Sequence, residues 1–363
     1  MGDTSQQAFL GAVDQRIADA VTGDLVAGLA GIDPTLEVFA AQCLAAAADG
    51  GKRLRPAFLY GAWRAFAPED EPSSAAIGVA AAVETLHAAI LVHDDVIDAS
   101  DLRRNRPSVR AALAEHHRSA ALSGPAAVFG DHTAVLLGDL LWGLAQDMLV
   151  DAVKAVPGAH ADEVTRHFRT MRTEVIAGQL LELRGQAARD FAADTAAKIV
   201  RYKTTAYTVA RPMNLGFALA NAPEHGVSLL RRYAEATGAA FQLRDDLADL
   251  FADTQHSGKR NGDDVRSAKP TLLMQLALEA AGPSQRQVLS ATLGQPNAED
   301  AQIEEVKDIV VATEAARSVC ARIGALADDA REALTETVTE YPAAVVAPLE
   351  ELLAPCTDVS FVP

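Results

Sequence analysis

The stretch LVHDDVIDASDLRRNRP, residues 91–107, runs from an apolar segment into three aspartates at D-D-x-x-D spacing and then into paired arginines. On an α-helix, residues i and i+4 lie about 40° apart around the axis. Asp94 and Asp98 therefore share a face, with Asp95 beside them. Carboxylates on an apolar helix are costly to bury without compensation, so the pattern calls for cations. A second D-D-x-x-D, made of Asp245, Asp246 and Asp249, stands in FQLRDDLAD (241–249), again in an apolar helical context. A single motif would suit a solvated helix end; two copies inside apolar helices point to bound metal. Mg²⁺ takes oxygen ligands and usually binds through a few carboxylates together with substrate phosphates and water. Two aspartate clusters thus suit a polyphosphate gripped through Mg²⁺.

Basic residues supply a complementary signal. GGKRLRP (50–56) places Lys52, Arg53 and Arg55 after a helix-breaking glycine pair. Arg103 and Arg104 follow the first aspartate motif, Lys203 and Thr204 stand in YKTT, and Lys259 and Lys269 flank GDD in GKRNGDDVRSAKPT. Any one of these alone would be an ordinary surface ion pair. In a chain with a formal charge of −17, their clustering suits anions: arginine for forked contacts to phosphate, lysine as a mobile point charge. Together the motifs suggest two diphosphates, one held through Mg²⁺ and one held directly.

Composition narrows the class. The chain has 363 residues, 49% apolar and only 5% aromatic, a balance that favours helices over strands. The acidic excess argues against a general nucleic-acid binder, which needs a basic stripe. Cys43, Cys320 and Cys356 show neither metal spacing nor a disulfide framework, so a cytoplasmic setting is expected. The N-terminus lacks the order of a signal peptide. The most apolar stretch, Ala75 to Val92, contains Glu84 and His87 and reads as a buried helix, not a membrane span.

Helical periodicity runs along nearly every long segment, and no run alternates like a strand. Breaks fall at Gly50-Gly51, Pro68 to Pro72, Gly124-Pro125, Pro157-Gly158, Pro223 to Gly226, Gly282-Pro283 and Gly294 to Pro296. No linker is long or of low complexity. One all-α domain over 1–363 is expected, a helical bundle around a central substrate cavity, with an outer helix in residues 1–30 and a short tail at 357–363.

In their order along the chain, GGKRLRP, ETLH (84–87), HDDVID, LRR, GDLL (138–141), GQLLE (178–182), YKTT, FQLRDDLAD and GDDVRSAKPT resemble the polyprenyl synthetase family, the trans-isoprenyl diphosphate synthases. The resemblance covers about Gly50 to Leu273; the flanks show only helical character. It implies the isoprenoid synthase fold, a homodimer, three Mg²⁺ per active site, and trans 1′-4 condensation of isopentenyl diphosphate with dimethylallyl, geranyl or farnesyl diphosphate. By the same resemblance, Asp94, Asp95 and Asp98 would bind Mg²⁺ on one side of the allylic diphosphate, and Asp245, Asp246 and Asp249 on the other. Arg103, Lys203, Lys259 and Lys269 would contact that diphosphate directly. Lys52, Arg55, His87 and Arg104 would hold isopentenyl diphosphate, and Thr204 and Gln242 would border the allylic carbon.

The product tail would run along the helix bearing the first motif, past Ile90, Ala89 and Leu86 towards Val83 and Ala82, with Trp142 and Met148 offered by the GDLLWGLAQDML helix. In the family, a bulky aromatic where Ala89 stands implies a C15 product. Its absence implies a deeper pocket, and a C20 product, geranylgeranyl diphosphate, is expected, with longer chains the alternative. Three departures from the family pattern stand out. Asn105 replaces a usual glycine, and Glu182 replaces an aspartate. Around Lys269, Ala268 and Pro270 replace the usual glycine and a variable residue, a change that bears on loop closure over the site. A terpene cyclase of the same fold would not need Lys52, Arg55, His87 and Arg104. A silent partner subunit would have lost an aspartate motif. A metal phosphohydrolase prompted by His93-Asp94 would need histidines that the chain does not place convincingly.

Overall fold

The computed structural model describes residues 4–48, 51–67, 73–252, 261–341 and 346–362. Their fold is all-α, as the composition and periodicity predict. The exception is a minimal hairpin in which Leu102–Arg103 pairs antiparallel with Arg106–Pro107. It was invisible to periodicity because two-residue strands carry no alternation. The described residues group into two compact units, Met1–Phe168 with Pro212–Ala222, and Arg169–Arg211 with Pro223–Pro363.

In the first unit, helix α1 (Thr4–Ala20) leads through a π-helical turn (Val21–Val26) and α2 (Ala27–Ile32) to α3 (Glu37–Ala48), α4 (Leu54–Phe66) and α5 (Ser74–Ile97). Phe9, Val13 and Ile17 recur at i, i+4 and i+8 along α1, and all three are buried, the stripe that a core-facing helix requires. Phe9 meets Tyr60 with ring centroids 4.9 Å apart, and Tyr60 meets Trp63 at 6.2 Å. Helix α5 starts where the Ser73 hydroxyl accepts the Ala76 N–H at 3.2 Å, an N-cap. It ends in a left-handed Ala99 (φ 52°), with Ser100 N bonded to Asp95 O at 2.9 Å and Ala99 N to Val96 O at 3.3 Å. That pair of bonds closes a Schellman end and stops the helix just past the aspartates. After the hairpin, α6 (Val109–Ser119) and α7 (Ala126–Val153) follow, with α7 packed along α5.

By length and composition, α5 and α7 could each cross a membrane, yet 78% of the apolar window of α5 is buried within the protein. That burial accords with its expected role as a core helix.

Helix α8 (Gly158–Ala188) leads into the second unit, which continues with α9 (Ala193–Ile199) and a π-helical segment, Val200–Ala210. Helix α10 (Arg211–Leu219) returns to the first unit, where Phe217 stacks edge-on to Phe66 at 5.9 Å. The second unit resumes with α11 (Glu224–Phe251), α12 (Asp263–Arg266), α13 (Leu272–Ala280), α14 (Pro283–Thr292), α15 (Asp300–Ala312), α16 (Ala315–Glu340) and α17 (Ala347–Thr357). Leu243, Leu247 and Leu250 of α11 join Val265, Leu273, Val306, Val310 and Val319 in its core. Proline and glycine mark the starts of α7, α8, α11 and α14, where the breaks were read. Pro68 to Pro72 lie outside the described residues.

Candidate functional site

In the first unit, the aspartate motif occupies the last turn of α5. Asp98 is exposed and Asp94 half-buried, whereas Asp95 is buried. Asp95 meets Arg103, whose Nε donates to Oδ1 at 3.0 Å and whose Nη2 donates to the same oxygen; Arg103 Nη2 is also 3.6 Å from Asp94 Oδ2. Burial works against the Arg103 charge, and Asp95 outweighs it, so its pKa lies above the ordinary value.

The hairpin turn is Arg104-Asn105, with φ of 53° and 62°, and two positive values are what a two-residue hairpin demands. Asparagine tolerates that geometry, which explains the Asn105 departure. Ala268 is also left-handed, at φ 53°, a conformation that costs a side chain about 1–2 kcal/mol. The usual glycine at both positions thus answers a backbone need.

The Arg104 guanidinium lies directly over Gly51, where a Cβ would come within 2.4 Å of Nη2. Gly51→Ala is therefore expected to displace Arg104 and raise KM for a diphosphate held there by about tenfold, the scale of one lost charge-assisted contact. Steady-state kinetics with each substrate varied in turn would check this.

His87, half-buried on α5, is held well below the ordinary histidine pKa, first by burial and then by Arg55, Arg104, Arg103 and Arg53. Positive charge that disfavours the charged imidazole favours an anion at the same place. Lys52 is exposed and Arg55 half-buried, while Arg53 is buried. The tail-wall residues divide as well: Ala89 and Leu86 are fully buried, and Ile90 and Trp142 are half-buried. His93, immediately before Asp94, packs over Gly138, a contact of which spacing holds no sign. Its Nε2 lies 3.2 Å from Val135 O and 3.4 Å from Asp139 Oδ1, and a Cβ at Gly138 would come within 2.2 Å of it.

In the second unit, Lys203 and Thr204 ride on the π-helical segment, a geometry often found at functional sites. Lys203 Nζ donates to Glu182 Oε1 at 2.6 Å. Lys269 Nζ donates to Asp264 Oδ1 at 3.1 Å and stands 3.9 Å from Glu182 Oε2. Glu182 is buried, so it serves both lysines. Thr204 donates its hydroxyl proton to Gln242 Oε1, and Gln242 Nε2 donates to Asp246 Oδ1 at 2.6 Å. Asp245 is more exposed and pairs with Arg244 at 3.1 Å. Lys259 lies outside the described residues.

Among the described residues, no three acidic, histidine or cysteine side chains already converge on one metal position. The chemistry of the aspartates nevertheless fits Mg²⁺. Burial, with Asp264 adding repulsion against the pull of Lys269, pushes Asp246 up to about 7. Burial and then Asp264 push Asp249 well above the carboxylate range. Crowded, buried carboxylates with oxygen donors only are what a hard cation relieves. The central aspartate of each motif is drawn inward, Asp95 to Arg103 and Asp246 to Gln242, a division that spacing alone does not reveal. Glu182, Asp264, Arg53 and Arg244 are further charged groups around these residues; the carboxylate of GQLLE was the visible sign of Glu182.

Residues 37–310 match the polyprenyl synthetase family model. The all-trans-nonaprenyl-diphosphate synthase (geranyl-diphosphate specific) of Rhodobacter capsulatus is 33% identical over 261 residues, 72% of this chain and 71% of that protein. The octaprenyl diphosphate synthase of Escherichia coli is 31% identical over 248 residues, 68% of each. A crystal structure of geranylgeranyl pyrophosphate synthase from Corynebacterium glutamicum, complexed with isoprenyl diphosphate and magnesium, superposes with a TM-score of 0.91 at 31% identity, covering 98% of this chain and 99% of that one. The chain therefore belongs to the polyprenyl synthetase family and is a trans-prenyltransferase.

Proposed function

We propose that this enzyme condenses isopentenyl diphosphate with an allylic diphosphate, head to tail and trans, and releases geranylgeranyl diphosphate. The observation that carries the reading is the Arg104 guanidinium lying over Gly51, at the segment that bears Lys52 and Arg55, with His87 held below its ordinary pKa by burial and then by Arg55 and Arg104, in a chain of net charge −17. Such a cradle suits a diphosphate held without metal, which a terpene cyclase does not need. Asp94, Asp98, Asp245 and Asp249, supported by Asp95 and Asp246, would hold three Mg²⁺ on the other diphosphate. Bound Mg²⁺ would neutralise charge building on the leaving oxygens.

The protein's own groups do the rest. Lys203 and Lys269, with Arg103, place positive charge for the allylic diphosphate as its C–O bond breaks and the electron pair leaves with oxygen. Because Thr204 gives its proton to Gln242, the Thr204 oxygen can turn its lone pairs to the allylic cation. The double bond of isopentenyl diphosphate then forms the new C–C bond, and the resulting cation loses a proton to the departing diphosphate. The buried apolar faces of the helices keep water away.

The C20 length follows the absence of an aromatic at Ala89 and the likeness to the Corynebacterium glutamicum enzyme. The octaprenyl and nonaprenyl synthases among the relatives support the longer-chain alternative. We place the enzyme in the cytoplasm as a homodimer. Leu136 on α7, 62% exposed, and Leu180 on α8, 61% exposed, are large apolar groups of the kind a partner surface covers. The test is incubation with Mg²⁺, isopentenyl diphosphate and each allylic diphosphate in turn, with product mass as the readout. A C20 diphosphate supports the reading, longer products favour the alternative, and diphosphate release without isopentenyl diphosphate overturns condensation. A chelator is expected to abolish turnover, and added Mg²⁺ to restore it.

A further inference from the structure

Arg53 stands between Lys52 and Arg55 in GGKRLRP, yet it behaves unlike either. Its side chain is 7% exposed, and its backbone is left-handed, at φ 47°, a conformation that persists only where surroundings over-determine it. Those surroundings are four chain segments meeting at one guanidinium. Nη1 donates to Glu84 Oε1 of α5 at 2.8 Å. Nη2 donates to the carbonyls of Ala47 and Ala48, at 3.3 and 3.4 Å, where α3 ends and its carbonyls lack helical partners. Nε lies 2.8 Å from Asp14 Oδ1 of α1. Arg53 itself is the residue from which α4 starts.

Burial opposes the Arg53 charge, but Glu84 and Asp14 outweigh it and hold the pKa above its ordinary value. Glu84 is itself buried and sits just under one turn before His87 on α5. The same ion pair therefore anchors the segment bearing Lys52, the first turn of α4 bearing Arg55, and the turn of α5 bearing His87.

We propose that the Arg53–Glu84–Asp14 cluster positions the cradle for the metal-free diphosphate, and that α1 belongs to this device although it precedes the family segment at 37–310. Arg53 and Glu84 are positioning residues; they act through Lys52, Arg55 and His87. The inference rests on the condensation reading above. Removing one partner of a buried pair leaves the other charge uncompensated. The pair with Asp14, whose side chain is 50% exposed, is screened and counts for less.

The test is steady-state kinetics on Arg53→Met, Glu84→Gln, Asp14→Asn and Arg53→Lys, varying isopentenyl diphosphate and the allylic diphosphate separately and recording melting temperature alongside. KM for isopentenyl diphosphate is expected to rise about tenfold or more in Arg53→Met and Glu84→Gln, and about threefold in Asp14→Asn, with KM for the allylic substrate within about twofold of wild type. Arg53→Lys should recover only part of the loss, because an ammonium cannot span the same set of acceptors. If Arg53→Met does not fold, Asp14→Asn and Arg53→Lys still carry the test. Both KM values moving together with the melting temperature would mean a merely structural cluster and overturn the inference, as would folded variants with an unchanged KM for isopentenyl diphosphate. If the wild type releases diphosphate without isopentenyl diphosphate, the condensation reading fails first and takes this inference with it.

Discussion

Asp94→Asn is expected to lower kcat by about 10²- to 10³-fold, the scale for losing one preorganised electrostatic group at a developing charge. The fold should survive. Asp94 is half-buried in the last turn of α5, 3.6 Å from Arg103 Nη2, and an amide of the same shape leaves that helix end in place. Asparagine keeps the shape and removes the charge, so the loss should fall on cation binding. The Mg²⁺ concentration for half-maximal rate should rise, while the melting temperature stays near that of the wild type. Asp95 makes a useful contrast, because its carboxylate holds Arg103 in a forked contact and its loss would loosen the hairpin as well. An Asp94→Asn enzyme with wild-type Mg²⁺ dependence would remove Asp94 from the metal set.

Gly178→Ala is expected to damage both stability and catalysis. A Cβ at Gly178 would come within 2.4 Å of Lys203 N and 2.7 Å of Lys203 Cα. Those are backbone atoms, so no side chain can rotate out of the way and the two segments must move apart. Overpacking of this kind costs about 1–3 kcal/mol, occasionally more. Glu182 lies one turn further along the same face of α8, so the shift also opens its 2.6 Å bond to Lys203. A displacement of about 1 Å at a positioned group can cost 10²-fold in rate. A lowered melting temperature together with a fall of that order in kcat/KM is the expected pair of results. A variant that melts and turns over like the wild type would show that α8 yields without strain.

Much of this was legible from spacing. D-D-x-x-D on a helix fixes which carboxylates share a face, and both motifs stand in the last two turns of long helices. Glycine and proline marked where helices begin, because few other residues end one cleanly. Spacing does not report depth. Asp95 is buried where Arg103 folds back over it through the hairpin. The Gln242–Asp246 bond is a local i, i+4 pair on α11, but the burial of Asp246 comes from what packs against that helix, and tertiary packing of either kind leaves no mark on spacing. The inward turn of Arg53 was hidden for the same reason, since a basic residue among basic residues reads as one more ligand for an anion. The π-helical segment left no periodic trace in its short length. Helical periodicity could mark the tail wall along α5, but not that Leu86 and Ala89 are closed off while Ile90 and Trp142 stay partly open.

The hairpin between Leu102 and Pro107 sets how near two anionic ligands could come to one another. Arg103 lies in a strand and its side chain goes to Asp95; Arg104 is the first residue of the turn, and its side chain goes to Gly51. A single peptide step of about 3.8 Å therefore hands consecutive cations to separate neighbours, because the backbone changes hand between them. If each arginine serves its own diphosphate, the interval between the two substrates is measured out in covalent bonds, which thermal motion cannot stretch.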